Sequence, residues 1–123
     1  MRLDIAAQTD SGRRKKKNED AYGVFREGAP GLRLFSKGAL VCVADGLGGH
    51  VGGEIASKLA VSIMRDMLKE DPPPTPENGD DIDERDEGPL PVIRETMQKA
   101  NDSIYQTHRD LVKVGRPMGT TVL

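Results

Sequence analysis

The alternation of apolar and polar positions divides the chain into short extended stretches followed by two helical ones. Leu3, Ile5 and Ala7 alternate with Arg2, Asp4 and Ala6, the period of a first strand with one inward face. Ala21 to Arg26 predicts a second strand, Gly28 to Gly31 a turn, and Leu32 to Phe35 a segment able to pair with that strand. From Ala39 to Ala44 the chain is continuously apolar, which predicts a strand buried on both faces and ending at the carboxylate of Asp45. From Glu54 to Lys69 two rows step by four: Ile55, Leu59, Ile63 and Met67, then Ala56, Ala60, Met64 and Leu68. They predict an amphipathic helix with a broad buried face. After Pro89 and Pro91, Val92, Ile93, Met97, Ala100, Ile104, His108 and Leu111 recur at steps near three and four, a second long helix that Gly115 and Pro117 end. Met118 to Leu123 begins a further strand.

Composition changes this picture in one place. Residues 71–88 hold prolines at 72, 73, 74 and 76 and then seven carboxylates against Arg85, a stretch that cannot bury apolar surface and reads as an acidic, Pro-rich loop between the helices. It lacks the residue order of a calcium loop. Elsewhere, 123 residues with a net charge of -2 make one domain without an apolar run able to cross a membrane, and Met1 to Asp4 has no signal-peptide core. A cytoplasmic setting, with no membrane partner, is the expectation. Aromatic residues make up only 3 %, so no platform for stacking bases is expected and no nucleic-acid partner. The single Cys42 falls inside the apolar run and reads as a small core residue. His108 reads as a boundary side chain, since no second His or Cys stands at metal spacing.

Candidate chemistry concentrates between the predicted strands and the first helix. Asp45 is followed by Gly46, Gly48, Gly49, Gly52 and Gly53, five glycines within eight residues, more than one turn requires. A strand, a glycine loop and a helix with one acid at the junction outline an ion or phosphate site. A Walker loop would need Lys where Glu54 stands, and the dinucleotide fingerprint fails at Val51. Upstream, Arg13 to Lys17 places five cations directly before Asn18, Glu19 and Asp20. Read alone, this run is as well a solvated loop as a site, yet acids beside cations suit a pocket shared by metal ions and a phosphate. Glu19, at the start of one strand, is expected near Asp45, at the end of another.

Thr9-Asp-Ser-Gly12, Asn18-Glu-Asp20, Val43-Ala-Asp-Gly-Leu-Gly-Gly-His50, Gly53-Glu54 and Met118-Gly-Thr-Thr-Val122 together resemble the successive N-terminal motifs of the metal-dependent (PPM-type, or type 2C) serine/threonine protein phosphatases, bacterial branch. Order and approximate spacing agree over almost the whole chain. The resemblance implies an α+β fold, half of an α-β-β-α sandwich in which antiparallel sheets are flanked by antiparallel helix pairs. Residues 1–123 would be the N-terminal portion of such a domain.

The resemblance also implies roles. Asp45 matches a carboxylate bridging two Mg2+ or Mn2+ ions, Gly46 a residue whose carbonyl faces one of them, and Glu19 an acid serving that same ion. Asp20 would take the catalytic role of a carboxylate that orients a metal-bound water. Hard oxygen ligands suit both ions, and a pair about 3.5–4 Å apart activates water for in-line attack on a phosphoserine or phosphothreonine ester. The partners implied are phosphorylated proteins. Where the family carries its substrate-phosphate arginine this chain has Lys15, with Arg14 and Arg13 beside it; lysine neutralises a phosphate without gripping it bidentately. Leu47 stands where many eukaryotic members carry a histidine. The family's remaining metal-binding aspartates lie in a C-terminal half absent from this chain, so the binuclear ligand set is incomplete here. A second chain supplying that half is one expectation. A non-catalytic phosphate- or phosphopeptide-binding module and an inactive truncated product are the alternatives. The two helices and half the strands would bury one side of the sandwich only, leaving the strand at Ala39 to Ala44 with an apolar face toward solvent.

Overall fold

The computed structural model describes residues 3–14, 17–26, 39–48, 51–67, 90–111 and 117–123. Five elements follow in chain order: β1 (Asp20–Arg26), β2 (Ala39–Leu47), α1 (Gly52–Met67), α2 (Leu90–Leu111) and β3 (Gly119–Val122). The strands form one antiparallel sheet in the order β1-β2-β3. Helix α1 packs against all three strands, and α2 packs against α1. A three-stranded antiparallel sheet with a helix pair on one face is half of an α-β-β-α sandwich, the expected α+β class.

Residue size explains how closely α1 lies on the sheet. The sheet turns Gly23, Cys42, Ala44 and Gly46 into the buried layer, and α1 answers with Ala56, Ser57 and Ala60, so few atoms separate the two backbones. Larger side chains fill the ends of this layer. Phe25, Cys42, Met64 and Met67 form one core cluster, and Ala56, Ala60 and Ile104 another; Val122 of β3 packs against both. Burying each of the larger side chains contributes about 1.5–3 kcal/mol. Thr96 of α2, itself buried, donates to the Val92 carbonyl at 2.8 Å and contacts the Met67 sulfur, which joins the helices near the end of α1.

Four expectations are corrected. The apolar run is not buried on both faces: Cys42, Ala44 and Gly46 are buried, whereas Val41, Val43 and Leu47 are exposed, Leu47 at 75 %. Among the described residues helices cover only one face of the sheet, so the period-two alternation of a strand decides burial despite the uniform apolarity. Strand β2 also continues through Asp45 to Leu47. Residues 3–7 form no strand; among the described residues no neighbouring strand lies alongside them, and Ile5 meets the body of the chain through its carbonyl, which accepts from the Arg26 guanidinium. In α2, Met97 and Leu111 of the apolar row are exposed while Thr96 is buried in their place. Leu32 to Phe35 and the acidic loop at 71–88 lie outside the described residues. Of the two rows in α1, Ala56, Ala60 and Met64 are buried and Ile55, Leu59 and Ile63 half-buried. No described helix is long and apolar enough to cross a membrane.

Candidate metal and phosphate site

The site is built where β1 begins and β2 ends. Asn18 prepares it: its side-chain amide donates to Thr9 Oγ1 at 2.9 Å, and its Oδ1 accepts the backbone N–H of Asp20 at 3.0 Å. This local turn ties the Thr9 segment to the acids and fixes the direction in which the chain enters β1. Just upstream, Asp10 Oδ1 accepts the Gly12 N–H at 2.7 Å, closing the turn that carries Arg13 and Arg14.

Antiparallel register then sets the acids against the second motif. Asp20 is the partner of Asp45 across β1 and β2, and Asp45 is the partner of Thr121 across β2 and β3. Directly paired residues of an antiparallel sheet share a face, so Asp20, Asp45 and Thr121 form one polar rung on the side α1 leaves open. The neighbouring rung, Tyr22, Val43 and Leu123, is apolar and exposed; Leu123 exchanges both backbone hydrogen bonds with Val43, at 3.0 and 2.9 Å. One step beyond the polar rung the Gly46 N–H donates to the Glu19 carbonyl at 3.2 Å, which carries the ladder past the end of β1.

Gly46 and Gly53 are glycines because nothing larger fits. A Cβ on Gly46 would stand 2.2 Å from the Gly53 carbonyl oxygen and 2.3 Å from that of Glu19. A Cβ on Gly53 would stand 2.9 Å from Glu19 Oε2 and 3.0 Å from the Gly46 carbonyl oxygen. The backbone of Gly53 is therefore packed against a carboxylate oxygen of Glu19 and the carbonyl oxygen of Gly46. Two such oxygens are the donors a hard divalent cation takes, so the residues present fit part of a Mg2+ or Mn2+ site. They do not make a whole one: among the described residues no group of three or more His, Cys, Asp or Glu side chains could hold a metal.

Other charged groups are accounted for locally. Glu54, in the first turn of α1, accepts from Lys58 Nζ at 2.7 Å, and that hydrogen bond and charge hold its carboxyl below the ordinary range, with Lys17 adding to the effect. Burial pushes the Cys42 thiol up, a hydrogen bond with the Gly23 backbone opposing it in part, as suits a core residue. Arg13 and Arg14 are exposed; Lys15 lies outside the described residues. His108 is half-buried at the side of an apolar hollow of about 560 Å3 between α1, α2 and β3, which includes none of the acids.

Residue pattern left three parts of this geometry unread: the packing of Gly53 against Glu19 and Gly46, the anchoring of Asn18 by Thr9, and Thr121 in the acidic rung. Thr121 had a signal, since Met118 to Val122 was a recognisable motif; Thr120 donates its hydroxyl to the Asp45 carbonyl at 2.9 Å.

Comparison with known proteins bears on this arrangement. No protein-family model matches the chain. The serine/threonine phosphatase stp of Listeria innocua is 43 % identical over 63 residues, covering 51 % of this chain and 22 % of that protein. A protein phosphatase 2C-type protein of Streptococcus pyogenes is 31 % identical over 121 residues, 98 % of this chain and 41 % of its own length. The crystal structure of a bacterial serine phosphatase superposes with a TM-score of 0.67 at 25 % identity, covering 94 % of this chain and 44 % of that one. The chain resembles the bacterial PPM-type serine/threonine phosphatases. It spans less than half the length of each of these three phosphatases. Within the part shared with the S. pyogenes phosphatase, the alignment runs through both acidic motifs and the glycine loop, because it takes in nearly every residue of this chain.

Proposed function

We propose that residues 1–123 are the N-terminal portion of a metal-dependent protein phosphatase domain that hydrolyses phosphoserine and phosphothreonine in phosphorylated proteins. The observation that carries this reading is the packing of both Glu19 Oε2 and the Gly46 carbonyl against Gly53, one rung from the Asp20 and Asp45 pair. Likeness to bacterial serine/threonine phosphatases over nearly the whole chain supports it.

In this reading Glu19, Asp45 and the Gly46 carbonyl would hold Mg2+ or Mn2+. When bound, the cations supply a water acid enough to act near neutral pH and positive charge beside the phosphorus. Asp20 would accept a hydrogen bond from the attacking water and aim it. Arg13 and Arg14, exposed on the turn ahead of β1, would receive the substrate phosphate together with Lys15; either arginine can grip two phosphate oxygens at once, which lysine cannot. Three protein oxygens shared between two ions that each take about six ligands leave most positions to water or to residues outside this chain.

The test is binding of a phosphothreonine peptide to the chain with and without Mn2+, followed by calorimetry. A metal-assisted site predicts binding that strengthens with Mn2+ and weakens with chelator. Binding that ignores the metal would instead identify a cation-only phosphopeptide module.

A further inference from the structure

Close packing against Glu19 Oε2 and the Gly46 carbonyl places Gly53 in the site itself. We infer that Gly53 is a positioning residue for the carboxylate of Glu19, an inference that rests on the metal-binding reading above. Glu19 cannot yield by moving its backbone, because its carbonyl accepts the Gly46 N–H at 3.2 Å and the next N–H, of Asp20, is held by Asn18 Oδ1 at 3.0 Å. Only its side chain can shift. A methyl group at Gly53 would stand 2.9 Å from Glu19 Oε2, 2.9 Å from the Gly46 carbonyl carbon and 3.0 Å from its oxygen, closer than such contacts allow. It would displace the Glu19 carboxylate, the Gly46 carbonyl, or both. Gly53 thus acts on both ligands through the absence of a side chain.

Its neighbour provides the contrast. A Cβ on Gly52 would meet Met118 Cβ at 3.0 Å and Met118 Cα at 3.8 Å, with no acid and no Gly46 atom near. Substitution at Gly52 strains the packing between the start of α1 and the approach to β3, whereas substitution at Gly53 strains the ligands. A merely structural glycine pair would respond alike at the two positions.

The experiment measures Mn2+ affinity of the chain by the electron paramagnetic resonance of free Mn2+, with far-ultraviolet circular dichroism to verify folding. Gly53→Ala should weaken Mn2+ binding by about 10–100-fold, the range for residues that orient metal ligands. Gly52→Ala should leave it within about twofold while lowering the melting temperature, as strained packing does. Glu19→Asp keeps the charge but draws the carboxylate back from Gly53, and should weaken binding by a similar factor to Gly53→Ala. If Gly53→Ala does not fold, Glu19→Asp decides: wild-type affinity in that variant overturns the inference. Equal Mn2+ binding in wild type and Gly53→Ala, or equal losses in Gly52→Ala and Gly53→Ala, overturns it and leaves the metal reading standing. No Mn2+ binding by the wild-type chain removes the metal reading and this inference with it.

Discussion

Asp20 and Asp45 are direct partners across β1 and β2, two carboxylates set side by side on the face of the sheet that the helices do not cover. Like charges placed opposite one another in an antiparallel pair oppose folding, by about 0.2–1 kcal/mol. A cation between them would reverse the sign. In metal-free buffer Asp45→Asn is therefore expected to raise the urea midpoint slightly. Adding Mn2+ should stabilise the wild type and leave Asp45→Asn unmoved. A wild type indifferent to Mn2+ would separate the pair from metal binding.

Gly46→Ala is expected to be far more damaging than an ordinary surface change. Its methyl would fall on two backbone oxygens, those of Gly53 and Glu19, and neither can rotate away as a side chain could. Overpacking of this kind costs about 1–3 kcal/mol, occasionally more. Chemical denaturation of the variant should show a loss at the upper end of that range or no cooperative transition. A loss under about 0.5 kcal/mol, the size of a neutral surface change, would mean that the loop relaxes freely.

The fold was legible in the sequence wherever a period was strong. Both helices follow their apolar rows to within a turn, and Asp20–Arg26 and Ala39–Leu47 fall where strands were expected. Read alone, the run at Ala39 to Ala44 misled about burial, because uniform apolarity shows that a strand exists without showing what will cover each face; the half-sandwich implied by the family resemblance is what anticipated the open side. Here Cys42 and Ala44 meet α1, while Val41 and Val43 meet solvent. At the site, the motifs around Glu19 and Asp45 could be picked out as chemistry, and register brings them together. The part played by Gly53 was not legible: a glycine at a helix start looks alike whether it admits a turn or makes room for a carboxylate. Only the Glu19 contact separates the two.

The open face carries a solubility consequence. Val41, Val43 and Leu47 are 45 %, 50 % and 75 % exposed on one side of a sheet whose outer strand edges are unpaired among the described residues. Exposed apolar sheet surface with free edges favours self-association. The chain by itself should elute beyond monomer size or precipitate as its concentration rises. Val41→Thr together with Val43→Lys should increase the monomer fraction in light scattering without changing the helical circular dichroism. An unchanged association state in that double variant would move the cause elsewhere on the molecule.

Glu54 gives a pH dependence with a definite sign. Its carboxyl is held below the ordinary range by Lys58, so the folded state favours the charged form more than the unfolded state does. That contribution is fully present above the unfolded value, 4.5, and is lost as pH falls through the lower folded value. Glu54→Gln should be slightly less stable than the wild type above about pH 6, by the small amount expected for an exposed pair, and converge with it in acid, so that its acid limb is flatter. The comparison is urea midpoint against pH for the two proteins. An identical acid limb in both would show that the Lys58 contact has no energetic consequence.

Most directly, the account stands on the release of phosphate from a phosphothreonine peptide in the presence of Mn2+. The 123-residue chain as a purified monomer is expected to show none, because Glu19, Asp45 and the Gly46 carbonyl are too few ligands for a metal pair. A protein that continues this chain through the rest of the phosphatase domain should hydrolyse the peptide in a chelator-sensitive way and lose several powers of ten in rate on Asp45→Ala. Near-normal turnover by Asp45→Ala in that longer protein would contradict the account.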